Sequence, residues 1–186
     1  MKYINLIKEN EAQGKVKEVY EVVSSKLGIV PDIMKGLANS PTALSAYVTL
    51  SDIIENGSFN TKEVQAGLLA VSQVNQCYYC LSAHTAAAKM LGFSAQEAIE
   101  LRKGTIEDPK LRALTQLLRV MTITRGHPSK EYINLFFEAG YTKTHFTELV
   151  TIVALKTMSN YFHNMTEIPV DFPRAPEIKE EAVTDS

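Results

Sequence analysis

Val71-Ser-Gln-Val-Asn-Gln-Cys-Tyr-Tyr-Cys-Leu-Ser-Ala-His-Thr-Ala-Ala-Ala88 is the stretch on which the reading of this chain turns. It holds both cysteines and one of the four histidines, spaced Cys77-x-x-Cys80-x-x-x-His84. Its alanines and leucine favour a helix, and on a helix residues three and four apart share a face. The spacing therefore predicts two thiols and an imidazole in one microenvironment. A dithiol redox centre needs that arrangement: one sulfur attacks, the second resolves, and a nearby base or charge keeps the attacker as thiolate.

Outward from this stretch the pattern stays helical. Upstream, Asn60 with Glu63 three places later is a capping box for a helix over Val64 to Val74 that runs into the cysteines. Asn75 is then a candidate cap for the next helix, with Cys77 in its first turn and Cys80 in its second. Val16, Val19, Tyr20, Val23 and Leu27 form the apolar stripe of an amphipathic helix stopped by Gly28. A short segment over Pro31 to Ala38, one or two helical turns, follows, and Ser40-Pro41 opens another helix that stops at Asn56-Gly57.

Downstream, Leu91-Gly92 ends the cysteine helix and Ser94 with Glu97 caps a short successor. Asp108-Pro109 opens a helix with Leu111, Leu114, Leu117, Leu118 and Met121 inward, and Ser129 caps the next. Thr142 or Thr144 starts a last long helix, read with Phe146, Leu149, Val150, Val153, Met158 and Tyr161 inward. No period-two strand or Asn-Gly hairpin interrupts this order. The fold class is all-α, a bundle of roughly seven or eight helices.

At 186 residues and 45% hydrophobic the chain can build one sizeable core. The expected organisation is one domain over residues 1–173 and an acidic, mobile tail over 174–186. A formal net charge of −2 gives no basic field for nucleic acid or an anionic membrane. The N-terminal segment lacks the continuous apolar region of a signal peptide, and no apolar run is long enough for a membrane span. The expected location is cytoplasmic, where two close cysteines point to catalysis or metal binding rather than a structural disulfide.

The segment from Leu69 to Thr85, with Gly92, Glu97 to Gly104, Ala139 to Thr142, Ser159-Asn-Tyr161 and Pro169-x-Asp171, resembles the AhpD-like alkylhydroperoxidase branch of the carboxymuconolactone decarboxylase family. The resemblance covers roughly residues 40–172. It implies an all-helical bundle assembling as a homo-trimer or homo-hexamer, and peroxiredoxin-type activity, in which a small-molecule peroxide is reduced through a disulfide cycle reset by a thiol or dithiol partner. It implies that Cys80 attacks the peroxide, that Cys77 resolves the sulfenic acid to a disulfide, and that His84 polarises the attacking thiol. No cofactor and no metal is implied.

Two positions depart from the family pattern. The glutamate that serves as proton acceptor in its best-known members, twelve residues before the first cysteine, is Gln65 here, which cannot ionise. Glu63 lies about 200° away around the helix and reads as the capping-box residue, and Tyr79 stands where those members have histidine. Gln65, Glu63 and Tyr79 are thus the candidate relay residues, and His163 a candidate for the pocket wall. Two alternatives remain: an oligomeric binding or scaffold protein with weakened catalysis, and a metal module using Cys77, Cys80 and His84 with His163 or water as fourth ligand. Lactone decarboxylation is not expected, because that branch of the family does without the paired cysteines.

Overall fold

In the computed structural model, which describes residues 3–178, nine helices account for all the regular structure of the described residues. They are α1 (Gly14–Leu27), α2 (Asp32–Leu37), α3 (Pro41–Glu55), α4 (Thr61–Val74), α5 (Tyr78–Met90), α6 (Ala95–Lys103), α7 (Pro109–Ile123), α8 (Lys130–Glu138) and α9 (Lys143–Thr166). The count exceeds the expected seven or eight because the one-turn segment after Pro31 is a full element.

Most helix starts follow the local code. The Ser40 side chain accepts from the backbone N–H of Ala43, and Pro41 fills the first turn. Asn60 and Glu63, like Ser94 and Glu97, satisfy each other's backbone amides as capping boxes. Asp108 accepts from both Lys110 N and Leu111 N at 2.9 Å. Thr142, not Thr144, caps α9, and His145 completes the box. Ser129 occupies the N-cap of α8, although its side chain makes no capping bond.

Helix α4 is the central element. It packs on α7, α5, α6 and α9, and Ala66, Leu69, Ala70 and Val71 have no exposed surface. Each buried leucine or valine contributes roughly 1.5–3 kcal/mol. Gly67 permits the close approach, since a Cβ there would meet Leu118 Cδ1 at 2.8 Å. Helix α3 packs on α1 and α9.

The inward stripe of α7 is as expected for Leu111, Leu114, Leu117 and Leu118. In α9 the register differs: Val150 and Tyr161 are exposed, and the buried face carries Leu149, Ile152, Leu155, Lys156, Ser159 and Asn160. The expected stripe followed the apolar residues, whereas the helix turns a mixed apolar and polar face toward α4 and α5. Leu27, expected inward, is exposed at the end of α1.

The chain after α9 docks rather than trailing. Asp171 accepts from the backbone N–H of Asp32 at 2.9 Å at the start of α2, and Ala175 N donates to Ser82 Oγ at 3.1 Å. Ala175 is buried, so the expected mobile tail does not begin at residue 174; residues 179–186 lie outside the described residues.

Candidate active site

The cysteine stretch folds as a helix–turn–helix corner. α4 ends at Val74 with Asn75 as its C-cap, Gln76 takes a left-handed φ of 53°, and Cys77 is itself the N-cap of α5. Asn75 thus closes one helix rather than opening the next. The Cys77 sulfur accepts from the backbone N–H of Cys80 at 3.3 Å, the role usually given to a serine or aspartate oxygen. Both sulfurs therefore lie in the first turn of α5, where unpaired amides favour negative charge. Both cysteines are free and buried.

The two thiols are unequal. Burial pushes the Cys80 thiol up, but the Cys77 thiol, the Lys156 ammonium and the Asn160 and Ser159 side chains outweigh it and bring Cys80 down to about 5. Ser159 Oγ is 3.9 Å from the Cys80 sulfur. Cys77 is pushed up, first by donating its own proton to Cys80 and then by burial. The surroundings thus favour the thiolate at Cys80 and the thiol at Cys77, the asymmetry that an attacking and a resolving sulfur require.

His84 stands one turn past Cys80, and its ring is not bonded to that thiol. Nε2 accepts from Lys156 Nζ at 2.9 Å, and Nδ1 faces Gln65 Oε1 at 3.0 Å. An ammonium can only donate and an amide oxygen can only accept, so the imidazole is neutral with its proton on Nδ1. Burial and the neighbouring Lys156 hold its pKa well below the ordinary value. His84 therefore reaches Cys80 through Lys156.

Lys156 has no place in the motif. It is buried on α9, and its ammonium survives burial because Cys80, Tyr47 and Cys77 raise its pKa above the ordinary lysine value. The sequence did carry a signal: a lysine in helical register with Leu149, Ile152 and Ser159.

The residues expected from the sequence separate into two groups. Cys80, His84, Gln65 and Tyr79 line a cavity of about 200 Å³ together with Lys156, Tyr47 and Phe172. The Tyr79 hydroxyl points away, accepting from Ile33 N at 3.1 Å; burial, and then its bond to the Asp171 carboxylate, push its pKa up strongly. Its ring serves as wall.

Glu63 and His163 stand outside this group. The Glu63 carboxylate accepts from Asn60 N at 2.9 Å and pairs with Lys110 at 2.8 Å. His163 lies behind the Tyr79 ring, 5.4 Å between centroids, and its Nε2 donates to Ile168 O at 3.1 Å. Among the described residues no group of three or more His, Cys, Asp or Glu is placed to hold a metal ion, and both nitrogens of His84 are already engaged. No helix among the described residues is long and apolar enough to cross a membrane.

Residues 41–123 match a family model described as the carboxymuconolactone decarboxylase family, which bears out the resemblance read from the core motif. No curated protein matches the chain. The fold is shared with the debrominase Bmp8 in complex with 2,3,4-tribromopyrrole, at TM-score 0.78 and 15% identity over 92% of each chain. It is shared too with an uncharacterised peroxidase-related protein from Ralstonia eutropha JMP134 described as an alkylhydroperoxidase AhpD core, at TM-score 0.75 and 22% identity over 91% of this chain and 90% of that one. A peroxidase-related protein from Silicibacter sp. TM1040 has TM-score 0.73 at 20% identity, over 90% and 92% of the two chains.

Proposed function

We propose, for a chain whose residues 41–123 are a carboxymuconolactone decarboxylase family region, that it is a thiol-dependent peroxidase and disulfide reductase. Cys80 attacks the peroxide and Cys77 closes the disulfide; an external dithiol reopens it. The observation that carries this reading is the pair of free, buried cysteines at the N-terminal turn of α5, with Cys80 lining the same cavity as the buried Lys156 and His84; the surroundings favour the thiolate at Cys80 and the thiol at Cys77. A scaffold protein has no use for a charge separated in its core at that cost. Cytoplasmic residence fits the free cysteines, and homo-oligomer formation fits the exposure of Ile53, Met90 and Met165.

The direct test is peroxide consumption titrated with small dithiols, with Cys80→Ser as control. Turnover that needs both a dithiol and Cys80 supports the reading. Turnover unaffected by Cys80→Ser, or none at all with hydrogen peroxide and organic hydroperoxides, refutes it. A second substrate class is carried by the aromatic lining of Tyr47, Tyr79 and Phe172: a small halogenated aromatic ring, as in the debrominase that shares the fold. Bromide release from a brominated pyrrole in the same assay distinguishes it.

A further inference from the structure

The Lys156 side chain is 1% exposed, and among the described residues no carboxylate is in ion-pair contact with its ammonium. A buried ammonium is costly unless an anion compensates it. The ionisable groups that face it are Cys80 and its neighbour Cys77, His84 on α5 and Tyr47 on α3, while Glu55 and Gln65 line the same cavity. Tyr47 is buried and its phenol is pushed toward the neutral form, and His84 is neutral. Cys80, in the first turn of α5, lines the same cavity as Lys156 and is the group placed to supply the compensating anion, so the charge on Lys156 is tied to the charge on that sulfur.

We propose that Lys156 is the proton donor of peroxide reduction, giving the Nζ proton to the leaving alkoxide as Cys80 becomes a sulfenic acid, while His84 holds the amine in place. This rests on the thiol-peroxidase reading above. The Cys80 thiolate attacks the terminal oxygen of ROOH; the S–O bond forms, the O–O bond breaks, and RO⁻ leaves. The sulfur is oxidised by two electrons and the peroxide reduced by two. The thiolate that stabilised the ammonium has now gone, burial favours the neutral amine, and the proton passes to RO⁻ to give ROH.

The neutral amine then serves the second step. It takes the proton from the Cys77 thiol, the Cys77 thiolate attacks the Cys80 sulfur, and the departing hydroxide takes that proton back to leave as water. One group donates and then accepts, so a cycle that starts from a preformed thiolate needs no carboxylate at position 65. That accounts for Gln65, whose amide only has to fix the His84 tautomer.

Two variants test the proposal, Lys156→Met and Lys156→Arg, the second keeping the charge while being unable to release a proton. Single-turnover oxidation is compared for an alkyl hydroperoxide and a peroxy acid above the alkylation midpoint of each protein, so that all carry the thiolate. The expected result is a loss of about a hundred-fold or more with the alkyl hydroperoxide for both variants. The peroxy acid, whose leaving carboxylate needs no proton, loses about ten-fold less. Lys156→Arg also keeps the low Cys80 alkylation midpoint, which Lys156→Met raises. Equal losses for both peroxides overturn the proposal and leave the peroxidase reading intact; a wild-type protein that no peroxide oxidises overturns both.

An independent readout needs no peroxide. In protein labelled with ¹⁵N at lysine Nζ, alkylating Cys80 with neutral iodoacetamide should move the Lys156 resonance from ammonium toward amine near neutral pH. A resonance that stays at the ammonium position overturns the proposal.

Discussion

Lys156 on α9 and His84 on α5 meet across 2.9 Å, ammonium to imidazole Nε2, and the same ammonium faces the Cys80 sulfur. A histidine so placed is an acceptor for the lysine, not a base for the thiol. The groups that favour an ionised Cys80 are Cys77, Lys156 and the α5 N-terminus.

Cys80 should be alkylated before Cys77, with a rate whose pH midpoint lies on the acid side of neutrality. Mass spectrometry of iodoacetamide adducts reads both. Because the Cys77 thiol is the largest influence holding Cys80 down, Cys77→Ser should move that midpoint upward. Equal labelling of the two sulfurs at neutral pH contradicts this assignment.

Acid should destabilise the protein through His84. Its folded pKa lies below the ordinary value, so its neutral form is the one the fold holds. That contribution is complete above the unfolded value of about 6.5 and is lost as pH falls below it, at up to about 1.4 kcal/mol per pH unit. Urea unfolding at neutral and mildly acid pH should show a smaller loss for His84→Gln than for the wild type. The Cys80 thiolate contributes with the same sign, and it remains in both proteins.

Glu63 should matter for stability and not for reactivity. It is buried, closes the capping box of α4 and pairs with the half-exposed Lys110. Glu63→Gln should cost about 1–2 kcal/mol, mostly through the cap, since a partly solvated pair contributes little. The Cys80 alkylation midpoint should not move; a shift would return Glu63 to the relay.

Access to the thiol should depend on the segment after α9. Asp171 ties that segment to the α2 N-terminus and to the Tyr79 hydroxyl, and Phe172 stands edge-on to the Tyr79 ring at 5.7 Å. Asp171→Ala should therefore speed the reaction of Cys80 with a bulky maleimide several-fold with little change in its pH midpoint. An unchanged rate would mean that reagents enter elsewhere.

Much of the helical order was legible in the sequence, and for a local reason. Asn60 with Glu63, Ser94 with Glu97, and Ser40 before Pro41 each satisfy backbone amides within one turn, so residue identity and a spacing of three suffice to place the start. The corner at residues 75–77 was less legible. There a cysteine takes the N-cap of α5 and Gln76 takes a left-handed backbone, and neither choice is written in propensity. The α9 register is not legible from hydropathy, because apolar side chains face both core and exterior on this helix while Lys156, Ser159 and Asn160 turn inward.

By itself the sequence determined that the chain is helical and that two thiols and an imidazole share one helix face, since caps and the 3.6-residue repeat act over a few positions. It also put an amide, Gln65, where the family resemblance leads one to expect a glutamate. What stands opposite the thiols was decided by tertiary packing alone. Lys156 comes from a helix 72 positions after His84, and a lysine reads as a surface residue until the packing of α9 against α4 and α5 buries it. Burial makes that ammonium depend on a counter-charge, and the same packing sets it in the cavity that Cys80 lines.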